Sequence, residues 1–195
     1  MSDTEARSGF EGAAEDEAGA SPPAEPETRF GHPVSYSPGP TSRAHRTRVQ
    51  QVLHPGREDL VDLVRALRDD EGFRVCVDLT AVDYLAYEGL RELPPGVDPE
   101  RFEVVVGLLS LETSERLRLR VQVPAEDPTC PSLFDVHPGT EALEREVYDM
   151  YGVEFTGHPD LTRILMPEDW DGFPLRKDQP VGAIPVQFKG VQNAR

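Results

Sequence analysis

Leu60, Leu63, Val64 and Leu67 recur at i, i+3, i+4 and i+7, the spacing that puts four apolar side chains on one helical face. The pattern predicts a helix from about Glu58 to Asp70, with Gly72 placed to end it. In "FRVCVDLTAV" the period changes to two. Val75, Val77 and Leu79 fall on one side and Cys76, Asp78 and Thr80 on the other, which predicts a strand. "LAYEGLRELPPGVDPER" is then a Pro/Gly-containing excursion. "FEVVVGLLSL" is apolar on both faces and predicts a central strand. "RLRLRVQV" alternates Leu117, Leu119, Val121 and Val123 with Arg118, Arg120 and Gln122, the mark of a strand with one wet face. The short run "ETSE" joins these two strands into a hairpin, and "PAEDPTCPS" reads as a loop.

A second helix is expected over Glu141 to Tyr151. Thr140 is its candidate N-cap, Glu141 and Glu144 suit its positive end, and Gly152 suits the left-handed position that closes it. Leu143, Val147 and Met150 form its buried stripe, and Arg145 and Asp149 are expected to pair at i, i+4 on the far side. Beyond Gly152 no period is kept, yet "LTRILMPEDWDGFPLRKD" is rich in Leu, Ile, Met, Trp and Phe. Such a segment needs a surface to cover. The fold class is therefore α+β: two or more helices on a mixed or antiparallel sheet, followed by a long extended C-terminal arm.

Composition adds a tail. Of the 195 residues 37% are hydrophobic and 7% aromatic, low for a chain packed throughout. The first thirty residues hold eight acids and two bases, too polar to offset a backbone entropy of about 1–2 kcal/mol per residue. The expected division is a disordered acidic tail and linker over 1–43, an α/β domain over 44–151 and an arm over 152–195. The formal charge of −16, spread over tail and body, argues against nucleic-acid and anionic-lipid binding. The one basic cluster, "RAHRTRV", is short and reads as a solvated flank. No apolar h-region opens the chain, and its longest apolar run, at 104–111, is far below the roughly 20 residues that cross a bilayer.

The chemistry-bearing residues form no catalytic pattern. Cys76 and Cys130 lie far apart and without histidine company, which excludes a zinc or iron–sulfur site built by this chain alone. His158, Asp160, Glu168 and Asp169 lie close along the chain, but one histidine followed by Pro159 lacks the paired ligands of a catalytic metal. Nothing marks a cleft for a carboxylate acid–base pair, and no phosphate-cradling glycine motif occurs. Arg163, Met166, Trp170, Phe173 and Arg176 are residue types that carry binding energy at interfaces. Trp170 and Phe173 can equally plug the domain's own core.

The run "EREVYDMYGVEFTGHPDLTRILMPEDWDGFPLRKDQP", residues 144 to 180, closely resembles the signature of the 30-kDa subunit of respiratory complex I, the proton-pumping NADH:quinone oxidoreductase. The resemblance covers about residues 50 to 180. It implies an α/β domain without a redox centre, in the peripheral arm at the cytoplasmic face of the membrane, docked on the 49-kDa subunit that helps form the quinone pocket. FMN and iron–sulfur clusters then belong to other chains, and no cofactor or metal to this one. The implied docking candidates are Glu144, Arg145, Glu146, Asp149, His158, Asp160, Arg163, Trp170, Arg176, Lys177 and Asp178. On this reading Arg176→Glu with Lys177→Glu weakens assembly and leaves the domain folded. The alternative reading is the equivalent subunit of a related membrane-bound hydrogenase complex, and a free-standing metallohydrolase using His158 and its acids is the competing class.

Overall fold

The computed structural model describes residues 27–38, 49–87 and 91–179. Strands β1 (Thr28–Arg29), β2 (His32–Pro38), β3 (Val49–Leu53), β4 (Val75–Asp83), β5 (Phe102–Ser110) and β6 (Glu115–Val123) form one sheet in the order β1-β2-β3-β6-β5-β4. All neighbours are antiparallel except β3 and β6, so the sheet is mixed. Helices α1 (Leu60–Asp69) and α2 (Glu141–Tyr151) complete the α+β fold, with a 3₁₀ turn at Pro138–Thr140 leading into α2. A two-stranded parallel pair, β7 (Thr129–Pro131) and β8 (Glu154–Thr156), flanks α2.

The alternation in β6 does what a half-buried strand requires. Leu117, Leu119, Val121 and Val123 are fully buried and meet Val104, Val106 and Leu108 of β5 in one core. Leu60, Leu63, Val64 and Leu67 of α1 and Val147 of α2 join that cluster. The opposite face is less wet than expected. Glu103, 1% exposed, accepts from Arg120 and Gln122 at 2.7 Å each, and Arg91 stands 3.4 Å away. Two guanidinium groups around one carboxylate make this a buried ion-pair cluster of the kind that survives only when its lone pairs are satisfied.

Two expectations are corrected by the sheet. The register of β4 shifts between Cys76 and Asp78, so Val77 is 42% exposed while Cys76 packs against the core. A bulge adds one residue and exchanges the faces on either side of it. The second correction is at the expected linker. Residues 28–38 form β1 and β2, and Val34 enters the core opposite Leu53. Proline, glycine and serine content suggested a linker there, but β1 pairs only with His32 and Pro33, so the rest of β2 has an open outer side where a missing N–H costs no ladder bond. The rest of the expected tail, residues 1–26, lies outside the described residues, as does 39–48.

His54 follows β3 and gives the fold a pH dependence. Its ring is 4% exposed, with Nε2 at 2.8 Å from Ser35 Oγ. Burial, aided by the charge of Arg120, pushes its pKa down to about 4. Above the unfolded value of about 6.5 neither state takes up a proton; below it only the unfolded chain does, until the folded pKa is reached. Stability should therefore fall as pH drops from about 6.5 to about 4, by up to about 1.4 kcal/mol per pH unit. Urea unfolding at several pH values should show this slope, and His54→Gln should flatten it.

Candidate functional site

The described part of the expected arm, residues 152–179, does not extend away from the domain. It returns along α2 and is tied there by buried carboxylates. Asp149, on the last turn of α2, has no solvent exposure. Its Oδ2 accepts the consecutive backbone N–H groups of Ile164, Leu165 and Met166 at 3.1, 2.7 and 2.8 Å. Its Oδ1 accepts Arg163 Nη1 at 2.6 Å. Arg163 then donates Nη2 to the carbonyls of Trp170 and Gly172 at 3.1 and 2.9 Å, closing a loop over residues 163–172. Burial works to raise the Asp149 pKa, but the three amides and the guanidinium outweigh it and hold the carboxyl below its ordinary range.

Asp149 was expected to pair with Arg145 on the exposed side of α2, and this is corrected. Arg145 bonds Glu141 at 3.1 Å and also donates to the Thr162 and Arg163 carbonyls at 3.1 and 3.2 Å. The i, i+4 rule places two residues on one helical stripe but does not say which stripe the later chain covers. Glu144 shows the same effect. It was placed at the helix N-terminus for its charge, and instead it is fully buried. It accepts Ser132 Oγ at 2.6 Å and, through Oε1, both Leu133 N and Thr140 Oγ1 at 2.8 Å. Thr140, the expected N-cap, makes no side-chain cap and serves Glu144.

A second anchor holds the far end of the segment. Asp83, at the end of β4, binds Arg101 at 3.0 Å and accepts the Lys177 amide at 2.9 Å. Arg101 also meets Asp178 at 2.8 Å. Burial again opposes ionisation of Asp83, and Arg101 with the amides of Lys177 and Leu85 overcomes it, so its pKa is lowered. Arg176 donates to the Tyr151 carbonyl at 2.5 Å and lies over the rings of Phe173 and Phe102 at 4.5 and 5.2 Å. A guanidinium so placed is part of the packing, so Arg176→Glu would disturb the fold. That expectation of a free surface charge does not hold.

His158 is also spent locally. Nε2 lies 3.1 Å from the Glu141 carbonyl, and Nδ1 accepts the Asp160 amide at 3.1 Å. Asp160, Glu168 and Asp169 do not converge on it, and among the described residues no three His, Cys, Asp or Glu side chains group as metal ligands. The remaining candidates look outward or sit at the margin: Glu146, Lys177 and Asp178 are exposed and Trp170 is half-buried. Ile164, Leu165 and Leu175 are 40, 60 and 47% exposed. Sequence reasoning missed Asp83 and Arg101 as anchors, because nothing local marks a carboxylate whose partner lies 94 positions away, as Lys177 does from Asp83.

Gly152 makes the return possible. Its φ of +71° closes α2 in the left-handed conformation, and an added Cβ would lie 2.6 Å from both Phe173 Cε2 and Arg176 Nη2. Gly152→Ala should cost about 1–2 kcal/mol in backbone strain alone. It should also speed hydrogen exchange of the Leu175 amide, which is bonded to the Met150 carbonyl at 3.0 Å.

An α+β domain with its trailing segment clamped across one helix is the class of protein these residues build. The family described as "Respiratory-chain NADH dehydrogenase, 30 Kd subunit" matches residues 53–184, and the chain belongs to that family. A protein of Saccharopolyspora erythraea, named as a subunit of NADH-quinone oxidoreductase, is 45% identical over 143 residues, 72% of this chain and 53% of its own length. The chain thus spans about half the length of the curated relatives it matches. Among solved structures, the trypsin-resistant fragment (1–134) of Nqo5 aligns with a TM-score of 0.52 at 34% identity, over 67% of this chain and 90% of that one. A chain of an archaeal respiratory membrane complex, the membrane-bound sulfane sulfur reductase, aligns with a TM-score of 0.59 over 83% of this chain and 90% of that one. At 21% identity it shares the fold.

Proposed function

We propose that this chain is the 30-kDa subunit of a bacterial proton-translocating NADH:quinone oxidoreductase. In this reading it is a non-catalytic member of the peripheral arm at the cytoplasmic face of the cell membrane, docked on the 49-kDa-type quinone-site subunit. Other chains hold NADH, FMN and the iron–sulfur clusters and carry electrons to quinone. The observation that carries the reading is the family match over residues 53–184, which includes the clamped C-terminal segment. Relatives named as NADH-quinone oxidoreductase subunits, at 42–46% identity, favour this complex over a hydrogenase-type one.

Glu144, Arg145, Asp149, Arg163 and Arg176 position the segment, while exposed Ile164, Leu165 and Leu175 leave apolar area that an assembly would cover. No helix among the described residues is long and apolar enough to cross a membrane, so attachment would run through neighbouring subunits. An affinity-tagged full chain expressed in its own host should bring down NADH- and quinone-reactive subunits. The reading fails if the chain is recovered without them, or if the purified chain alone carries a stoichiometric flavin or metal.

A further inference from the structure

The arginines around the loop 163–172 are spent inward, while Lys177 beyond it stays exposed. Arg163 binds Asp149, Arg145 binds Glu141 and the loop's own carbonyls, and Arg176 stacks on Phe173 and Phe102. The acids nearby behave oppositely. Asp160, Glu168, Asp169 and Asp171 are exposed, and none makes an ion pair among the described residues. Between them stand Ile164 and Leu165, 40 and 60% exposed.

The loop is held before any partner arrives. Asp149 fixes its first three amides, Arg163 joins its two ends, and the Trp170 amide bonds the Pro167 carbonyl at 3.0 Å. None of these bonds buries Ile164 or Leu165 in the domain's own core. They present the two side chains in a fixed position, which lowers the ordering cost of binding.

Resting on the function proposed above, we propose that this loop is a preformed prong, with Ile164 and Leu165 as apolar tip and Asp160, Glu168, Asp169 and Asp171 as acidic collar. It seats in an apolar slot edged by lysine and arginine side chains on a neighbouring protein subunit. Charge complementarity selects that occupant. A second copy of this chain, formally −16, would meet the collar with like charge. An anionic lipid surface would repel it in the same way. The partner surface is thus basic, the reverse of what a cationic docking strap would require.

The test uses the tagged full chain in its own host, comparing recovery of the oxidoreductase subunits. Ile164→Ser with Leu165→Ser, and separately Glu168→Lys with Asp169→Lys and Asp171→Lys, should each lower recovery at least tenfold. Thermal unfolding of the purified chains should be unchanged, because all five side chains are exposed. Glu126→Lys, exposed and away from the loop, should leave recovery unaltered. Recovery of both variants within twofold of wild type overturns the proposal. So does loss with the apolar pair alone, since that removes the basic rim. Binding of the purified chain to anionic vesicles, or a dimer that these substitutions dissolve, also overturns it. Failure of the wild-type chain itself to recover the complex is distinguishable, because it overturns the functional reading and this inference together.

Discussion

Asp149→Asn is expected to destabilise the protein by about 3–5 kcal/mol, the usual result of removing one partner from a buried ion pair. The amide oxygen can keep the three backbone donors now shared by Oδ2. The amide nitrogen would then face Arg163 Nη1, donor against donor, where Oδ1 now accepts at 2.6 Å. Arg163 is only 13% exposed on its side chain and makes no second ion pair among the described residues. Against a total stability of about 5–15 kcal/mol, such a loss frees the loop first and endangers the fold second. Urea unfolding measures the total. Hydrogen exchange at the Leu165 and Met166 amides reports the loop. A change below about 1 kcal/mol would show that the carboxylate is not the clamp described here.

Glu144 gives a contrasting expectation, since among the described residues it makes no ion pair. Glu144→Ala strands the Leu133 amide and Thr140 Oγ1 in a fully buried place, at a cost of about 1–3 kcal/mol for each donor left unpaired, and frees Ser132 Oγ at a half-buried one. The sum should rival the effect at Asp149. Glu144→Gln, however, should cost about 1 kcal/mol or less. Its oxygen can keep the two donors now on Oε1, and its nitrogen can donate to Ser132 Oγ, a hydroxyl that both gives and accepts. Parallel urea titrations of the two variants decide the matter. An equal loss for Gln and Ala would mean that the charge, and not the hydrogen-bond count, holds this site.

These two carboxylates also show how far a local reading reaches. Glu144 and Asp149 stand out within a run of signature residues, yet their positions on the helix gave them surface roles. The alternation of β6, the i, i+3, i+4, i+7 face of α1 and the bounds of α2 were all legible, because each depends on neighbours within one or two turns of chain. The bulge in β4 was not, since a one-residue register shift is chosen by the partner strand.

Residue order alone specifies the amphipathic elements, the left-handed closure at Gly152, the family, and an acidic, apolar-rich segment too irregular to be a helix or strand. Which way that segment's charges point is settled by long-range packing. Burial turns a carboxylate or guanidinium inward only where enough donors or acceptors converge to replace water. Asp149 gathers its partners from 14 to 17 positions later, and Asp83 from 18 and 94. No local pattern encodes such convergence, because it exists only once the chain has returned across α2.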